Sequence, residues 1–598
     1  MKTKQGIAGA LGLVLALTGM TISNPDPTSV ADAAMQGDRE QVVRLIQEGG
    51  DVNEAQGDGM TALHWAAMNG DTGLADVLLL AGANTEATTR LGSYRPLHLA
   101  AKGGHSATVR VLLDGGADWE APTATGSATA LHLAAGSGAY EAVEALLERG
   151  ADPNVREGEW GQTALIFAAA LDRTKAVRTL LEHGADPALT TFVHKVPALA
   201  EIHGLARTAA QDLLKEYQEA SGEPAGTWRP TVAQAREAAE AAREVLRNPP
   251  EELELDEVEL GTTNQNEMVG GWGGLTALLH AVRQGNKETV VALLDGGAPI
   301  DQASLGDGTS PLLMAAINGQ FDLGMLLLER GADPNQASDA GTTPLYAALE
   351  RQWTSRSRFP QVREHEHQEA SHLDFMRAAL DSGADPNARL GMHLWYMAHT
   401  GCGNFNCGLE IAWGATPFWR AAYGLDVPAM RLLAEYGADP NIPTRRPQER
   451  GRSAYNDEIE VEGDPSGLPP IEVGGDGVFP IHAASGVGYG TGFGANAHVY
   501  AETGFLPAIR YLVEELGIHV NTRDYNGFTA VHHSAARGDN ESILYLVEQG
   551  ADVTVIGRSG QTTVDLANGP VQRISPFPQT IRLLESLGAK NNHRCVSC

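Results

Sequence analysis

Apolar residues along this chain recur at helical spacing, in two kinds of short segment that take turns. One kind is "EAVEALLERG" at 141–150, whose valine and leucines load one face of a helix. The other is "TALHWAAMNGD" at 61–71. It opens on a residue that caps a helix, sets a leucine and an alanine pair toward a neighbour, and closes on a glycine. Read together they predict helix, turn, helix. The opening phrase returns at Arg95, Thr129 and Thr163, then at Thr276, Ser310 and Thr343, and more loosely at Thr416, Phe479, Thr529 and Thr562. Stepping back 33 residues from Thr61 reaches Thr28 and "TSVADAAMQGD", which makes twelve units. A second phrase closes the units: "GADPN" from Gly150, Gly331, Gly383 and Gly437. Glycines such as Gly70, Gly104 and Gly138 are placed for the left-handed residue that ends a helix, and proline at the second position of the phrase suits a first helical turn. A unit this small leaves its apolar face uncovered, whereas a stack buries it.

This pattern resembles the ankyrin repeat, with its Thr-Pro-Leu-His signature and period near 33. The resemblance covers most of 28–593. It implies an all-α ankyrin-repeat solenoid of about twelve helix–turn–helix units with several loop and helix insertions. It also implies protein binding through hairpin tips and a concave helical face, and it brings no catalytic residue. His64, His98, His132, His482 and His532 share the signature's histidine position. At a repeated position the expected role is structural: a ring hydrogen-bonded to the turn of the adjacent unit.

A chain of 598 residues exceeds a single core, which stops growing near 250–300 residues. At its start Lys2 and Lys4 precede the apolar run "IAGALGLVLALTGM", which reads as a secretory signal at 1–23 cleaved near Ser23. That run falls short of the roughly 20 residues a membrane span needs, and no later segment is longer. The expected order is then a repeat array over 24–191, a helical and acidic insert over 192–270, and a second array over 271–593. A Cys-x-x-Cys tail occupies 594–598.

The breaks in the period carry the functional expectations. The 192–270 insert holds two segments of helical composition, the first of which could be a degenerate further unit, and an acidic run in which six of residues 251–259 are Asp or Glu. The second array is interrupted at 352–370, 388–415, 442–477 and 486–505. His365 and His367 in the first of these, with His372 just past it, match no strong zinc spacing, so no metal site is assigned. The glycines of "GVGYGTGFGANAHVY" lack the Lys-Ser/Thr of a phosphate loop. Loops from neighbouring units usually leave one face, often the binding face. The candidate partner-binding residues are therefore Trp395, Tyr396, Trp413, Tyr489 and Phe493, rings of the kind that anchor interfaces. The alternative is that they pack the inserted loops on themselves.

Charge narrows the partner. With 75 acidic against 43 basic residues the net charge is −32, which repels phosphate backbones and favours a protein partner, a basic one above all. Four cysteines form two close pairs, Cys402 with Cys407 and Cys595 with Cys598. Reach favours two local disulfides over one joint zinc site. The sequence thus predicts an exported, periplasmic or extracellular scaffold, monomeric, without cofactor or catalysis. The rival is a thiol-redox or metal-binding protein using the cysteine pairs.

Overall fold

The computed structural model describes residues 29–224, 226–250, 253, 270–354, 363–391, 412–447, 463–489, 499–569 and 575–594. The chain divides into two compact units, Met1–Ala151 and Asp152–Cys598. In the first, four helix pairs succeed one another: Val30–Gln36 with Arg39–Gln47, Ala62–Met68 with Thr72–Leu80, Pro96–Lys102 with Ser106–Asp114, and Ala130–Ser137 with Tyr140–Glu148. In the second, the leading helices of eight pairs start at Ala164, Ala277, Pro311, Pro344, Pro417, Pro480, Ala530 and Thr563. Each leading helix packs on the next within its unit.

The cap residue of the repeated phrase starts each leading helix. The hydroxyls of Thr276, Ser310, Thr343 and Thr416 accept the N–H three residues on at 3.2–3.3 Å. In the first pair that role falls to Ser29, one residue beyond Thr28. Gly70, Gly104 and Gly138 take φ of 68°, 75° and 82°, the left-handed conformation predicted for them. Where the phrase lacks such a glycine, Asp172 and Leu425 adopt φ of 57° in its stead. Alanine pairs such as Ala66–Ala67 and Ala134–Ala135 are wholly buried, as close approach of neighbouring helices demands.

The recurring histidine joins one repeat to the next. The backbone N–H of the cap residue donates to Nδ1, at 3.1 Å for His64, 3.0 Å for His98 and 3.2 Å for His482. That bond puts the ring proton on Nε2, which donates forward to the carbonyls of Tyr94, Ala121 and Thr522 at 3.0, 2.9 and 2.9 Å. The closing phrase does similar work. Asn335 Nδ2 donates to the carbonyl of Gly383 at 2.8 Å, while its Oδ1 accepts from Asp385 N at 2.7 Å. Asn154, Asn387 and Asn521 repeat this two-way bond on the following Gly-Ala-Asp. Between helix pairs the chain turns out into a tip, and within each unit tips donate an N–H to a carbonyl of the one before, as Asp339 does to Asp307 and Arg558 to Asn526.

The 192–270 insert leaves from inside one such tip. Val193–Lys195 pairs antiparallel with Gly271–Gly273, and Val196 N donates to Gly270 O at 2.9 Å. Beyond this ribbon stand two helices, Val196–Ser221 and Val232–Arg247, packed on each other. They are far longer than repeat helices. Below them the pair that starts at Ala164 stacks directly on the pair that starts at Ala277, with Thr174 and Thr289 hydroxyls 2.8 Å apart. Among the described residues no helix is long and apolar enough to cross a membrane.

Candidate functional site

The interrupted repeats of the second unit concentrate the departures from a plain stack. At the hairpin tips, residues 391 and 412 flank one insertion. Leu390 N donates to Ala415 O and Gly414 N to Leu390 O, both at 2.9 Å, so its root is closed like a strand pair. Trp413 lies there, 5% exposed, its indole Nε1 donating to Gly391 O at 2.7 Å. The Arg445 guanidinium sits over that ring, 5.7 Å from its centre, and Arg445 N donates to Trp413 O. Arg389 bonds the carbonyls of Gly414 and Pro443, tying this root to the next one. There Arg446 and the 474–475 turn exchange bonds of 2.8 and 3.0 Å. The returning limb of the 442–477 insertion is held by Arg558, which meets Asp464 and the Pro469 carbonyl.

The other two insertions leave from the opposite end of the leading helices, at the turn into the second helix. Here the sequence puts Arg420 where most other repeats put an apolar residue. Arg420, fully buried, meets Glu350 at 2.6 Å and donates to Trp353 O at 2.8 Å. Burial works against its charge, but Glu350 outweighs it and holds the guanidinium cationic. Burial also raises the hydroxyl of neighbouring Tyr346 far above its ordinary range, so that ring stays neutral. Asp426 caps the next helix at Ala429 N with one oxygen, and with the other accepts from Trp353 Nε1 at 2.9 Å and meets His372 Nε2 at 2.8 Å. Although burial opposes it, these bonds keep the carboxyl below the usual range. The 486–505 insertion returns across this turn: Ala501 N donates to Gly424 O and Thr503 Oγ1 to Leu425 O. Arg537 is buried against the Phe505 ring, bonded to Ser485 O and Asp539.

This geometry revises two expectations. The insertions were expected to leave one face, yet Trp413 precedes a leading helix while Tyr489 follows one, so their roots belong to two edges. A helix of seven residues separates such edges by about 10 Å. Trp413 packs against its own loop root and offers no exposed ring. Tyr489 is half-buried and remains accessible. Trp395, Tyr396 and Phe493 lie outside the described residues, as do Cys402, Cys407, Cys595, Cys598 and the segment 1–23. Among the described residues no cluster of three metal-ligating side chains forms; His372 is engaged with Asp426.

A group of exposed apolar side chains escaped the sequence reading. Trp160, Phe192, Val193, Trp272 and Leu305 are 49%, 40%, 37%, 52% and 65% exposed. They sit on consecutive tips joined by the bonds Phe192 N to Trp160 O (2.8 Å), Gly274 N to Phe192 O (3.1 Å) and Leu305 N to Gly274 O (3.2 Å). Buried Glu157 fixes the first tip by accepting from the N–H groups of Glu159, Trp160 and Gln162. Gly161 and Gly274 let the tips close up: a Cβ on either would stand 2.7 Å from the Phe192 ring or 2.6 Å from Leu305. The available signal was aromatic residues shortly before a cap residue, where most tips carry glycine or small polar residues.

A family model described as Ankyrin repeats (3 copies) matches residues 30–123, 116–191, 251–338, 278–356 and 482–556, together more than half of the chain. A B-cell lymphoma 3 protein homolog of Mus musculus is 40% identical over 83 residues, 14% of this chain and 18% of that protein. A putative ankyrin repeat-containing protein of Treponema pallidum (strain Nichols) is 41% identical over 78 residues, 13% of this chain and 26% of its own length. Protein phosphatase 1 regulatory subunit 12A of Mus musculus is 33% identical over 87 residues, 14% of this chain and 8% of that protein. The matched region is thus about a quarter or less of each of these relatives.

Proposed function

The chain belongs to the ankyrin-repeat family, and from that premise we propose that it is an exported, non-catalytic scaffold that holds a protein partner on its interrupted repeats. The observation that carries this reading is the firmness of the insertion roots. Arg389, Trp413, Arg445, Arg420 and Asp426 spend buried or half-buried hydrogen bonds on fixing where inserted segments leave the stack. A binding loop gains from such a base, because less ordering remains to be done when a partner arrives. The same side chains are committed to backbone or to one another, which suits a scaffold better than a reaction centre. A net charge of −32 supports a basic partner. Export rests on the Lys2, Lys4 and apolar-run signature.

Affinity capture from the native compartment tests the proposal, using Trp395→Ala in the insertion rooted at the hairpin edge and Tyr489→Ala at the helix-turn edge. At the edge that binds, the expected loss is about 1–3 kcal/mol, the usual effect of truncating an anchor ring. Undiminished capture by the double variant, with circular dichroism unchanged, would sink it. Sequencing of the mature N-terminus tests export separately: it is expected between about residues 20 and 30, and an intact Met1 on the native protein would refute cleavage.

A further inference from the structure

We propose that the tips bearing Trp160, Phe192, Trp272 and Leu305 form a second docking surface, which takes an extended, apolar and basic segment of a partner protein. This surface stands at the root of the 192–270 insert, apart from the four insertions of the second array, and goes beyond the function proposed for those. Single exposed apolar residues are ordinary, but five large ones on neighbouring tips mark a place that something covers. The backbone beneath them is already set by tip-to-tip hydrogen bonds and by Glu157, so little conformational freedom is lost on binding. Trp160 meets His194 edge-on at 5.6 Å, which holds the ring upright.

Charge selects the occupant. Glu159, Asp307 and Asp339 stand on the tips, and exposed Asp186 and Asp333 precede them, against Arg156 and Lys195. Arg156 is drawn over the Phe192 ring, 6.0 Å from its centre. An anionic ligand meets net repulsion here, whereas a segment carrying Lys or Arg among apolar residues meets carboxylates beside rings. Spacing selects its conformation. Successive repeats lie about 8–10 Å apart, as packed helices do. A polyproline II segment returns to the same face every third residue, after about 9.3 Å. Apolar residues three apart then reach consecutive tips, with basic residues between them facing the acidic rim.

The probe is a labelled twelve-residue peptide, Leu-Pro-Lys repeated four times, titrated into the full chain at low salt and followed by fluorescence anisotropy. Saturable binding is expected, weakened at least tenfold by the double variant Trp272→Ser with Leu305→Ser. Leu80→Ser, at a still more exposed leucine of the first unit, and Tyr489→Ala are expected to leave it unchanged. Because Tyr489 belongs to the interrupted repeats, failure here and failure of partner capture there are distinguishable. The proposal is overturned if the double variant binds as well as the parent, or if Leu-Pro-Glu repeats bind equally. It is also overturned if sedimentation shows a dimer that the double variant abolishes, since the patch then belongs to a second copy.

Discussion

The histidine of the repeated phrase is a residue whose chemistry was half legible. Its recurrence in the sequence announced a structural task, and the forward bond to the next turn is there for His64, His98 and His482. The backward bond from the cap N–H was not legible, because it depends on a ring folding back over its own helix start. That second bond has a consequence. With both ring nitrogens engaged the imidazole is needed neutral, and burial pushes His482 down to about 4 and His532 to about 3, with His64 and His98 also lowered. His280, displaced by one position, is likewise pushed to about 4 by burial and by Arg283. An unfolded chain titrates these rings near 6.5, so between that pH and about 4 it binds more protons than the folded one. Their contribution is complete above about pH 6.5 and drains as pH falls toward 4, by up to about 1.4 kcal/mol per pH unit for each histidine. Urea unfolding at pH 7.5 and pH 5 is expected to show a markedly lower midpoint at pH 5. His482→Gln is expected to shrink that difference, and equal shrinkage from substitution of exposed His519 would contradict the assignment.

At the scale of elements, helices and their order were readable, since caps, alanine pairs and glycines are local signals. The exits of the insertions were not: which edge a loop leaves from depends on whether it interrupts the chain before or after a seven-residue helix, and apolar spacing says little about that. Arg420 and Glu350 show a second limit. They are 70 positions apart and only the stack brings them together. Their pair is a test of how the 352–370 insertion is anchored. Glu350→Gln removes the charge facing a fully buried guanidinium, and a broken buried pair typically costs about 3–5 kcal/mol. The added change Arg420→Met is expected to recover part of that, because the uncompensated cation is then gone. Thermal unfolding of the two variants checks the order: a double variant less stable than the single one would show that the pair serves packing rather than charge balance.

For the whole molecule, stability is distributed among neighbours. Leu131 is 1% exposed on a leading helix of the first unit. Leu131→Ala is expected to cost about 2–5 kcal/mol there. In a stack with nearest-neighbour contacts that loss fades with distance along the chain. Hydrogen exchange is expected to quicken in the first unit and to stay slow around Thr529; equal loss at both ends would mean a more cooperative molecule than the repeats suggest. The ribbon of Val193–Lys195 with Gly271–Gly273 bears on what the molecule can carry as well. Its two strands begin and end a departure of some seventy residues, yet they leave and return one hydrogen bond apart. Closing so short a gap costs nearly the same whatever is hung beyond it, since loop entropy grows only slowly with length. The tip is therefore a port at which the length of the inserted segment matters little to the repeats on either side, and at which an engineer could graft a foreign domain whose termini lie close together.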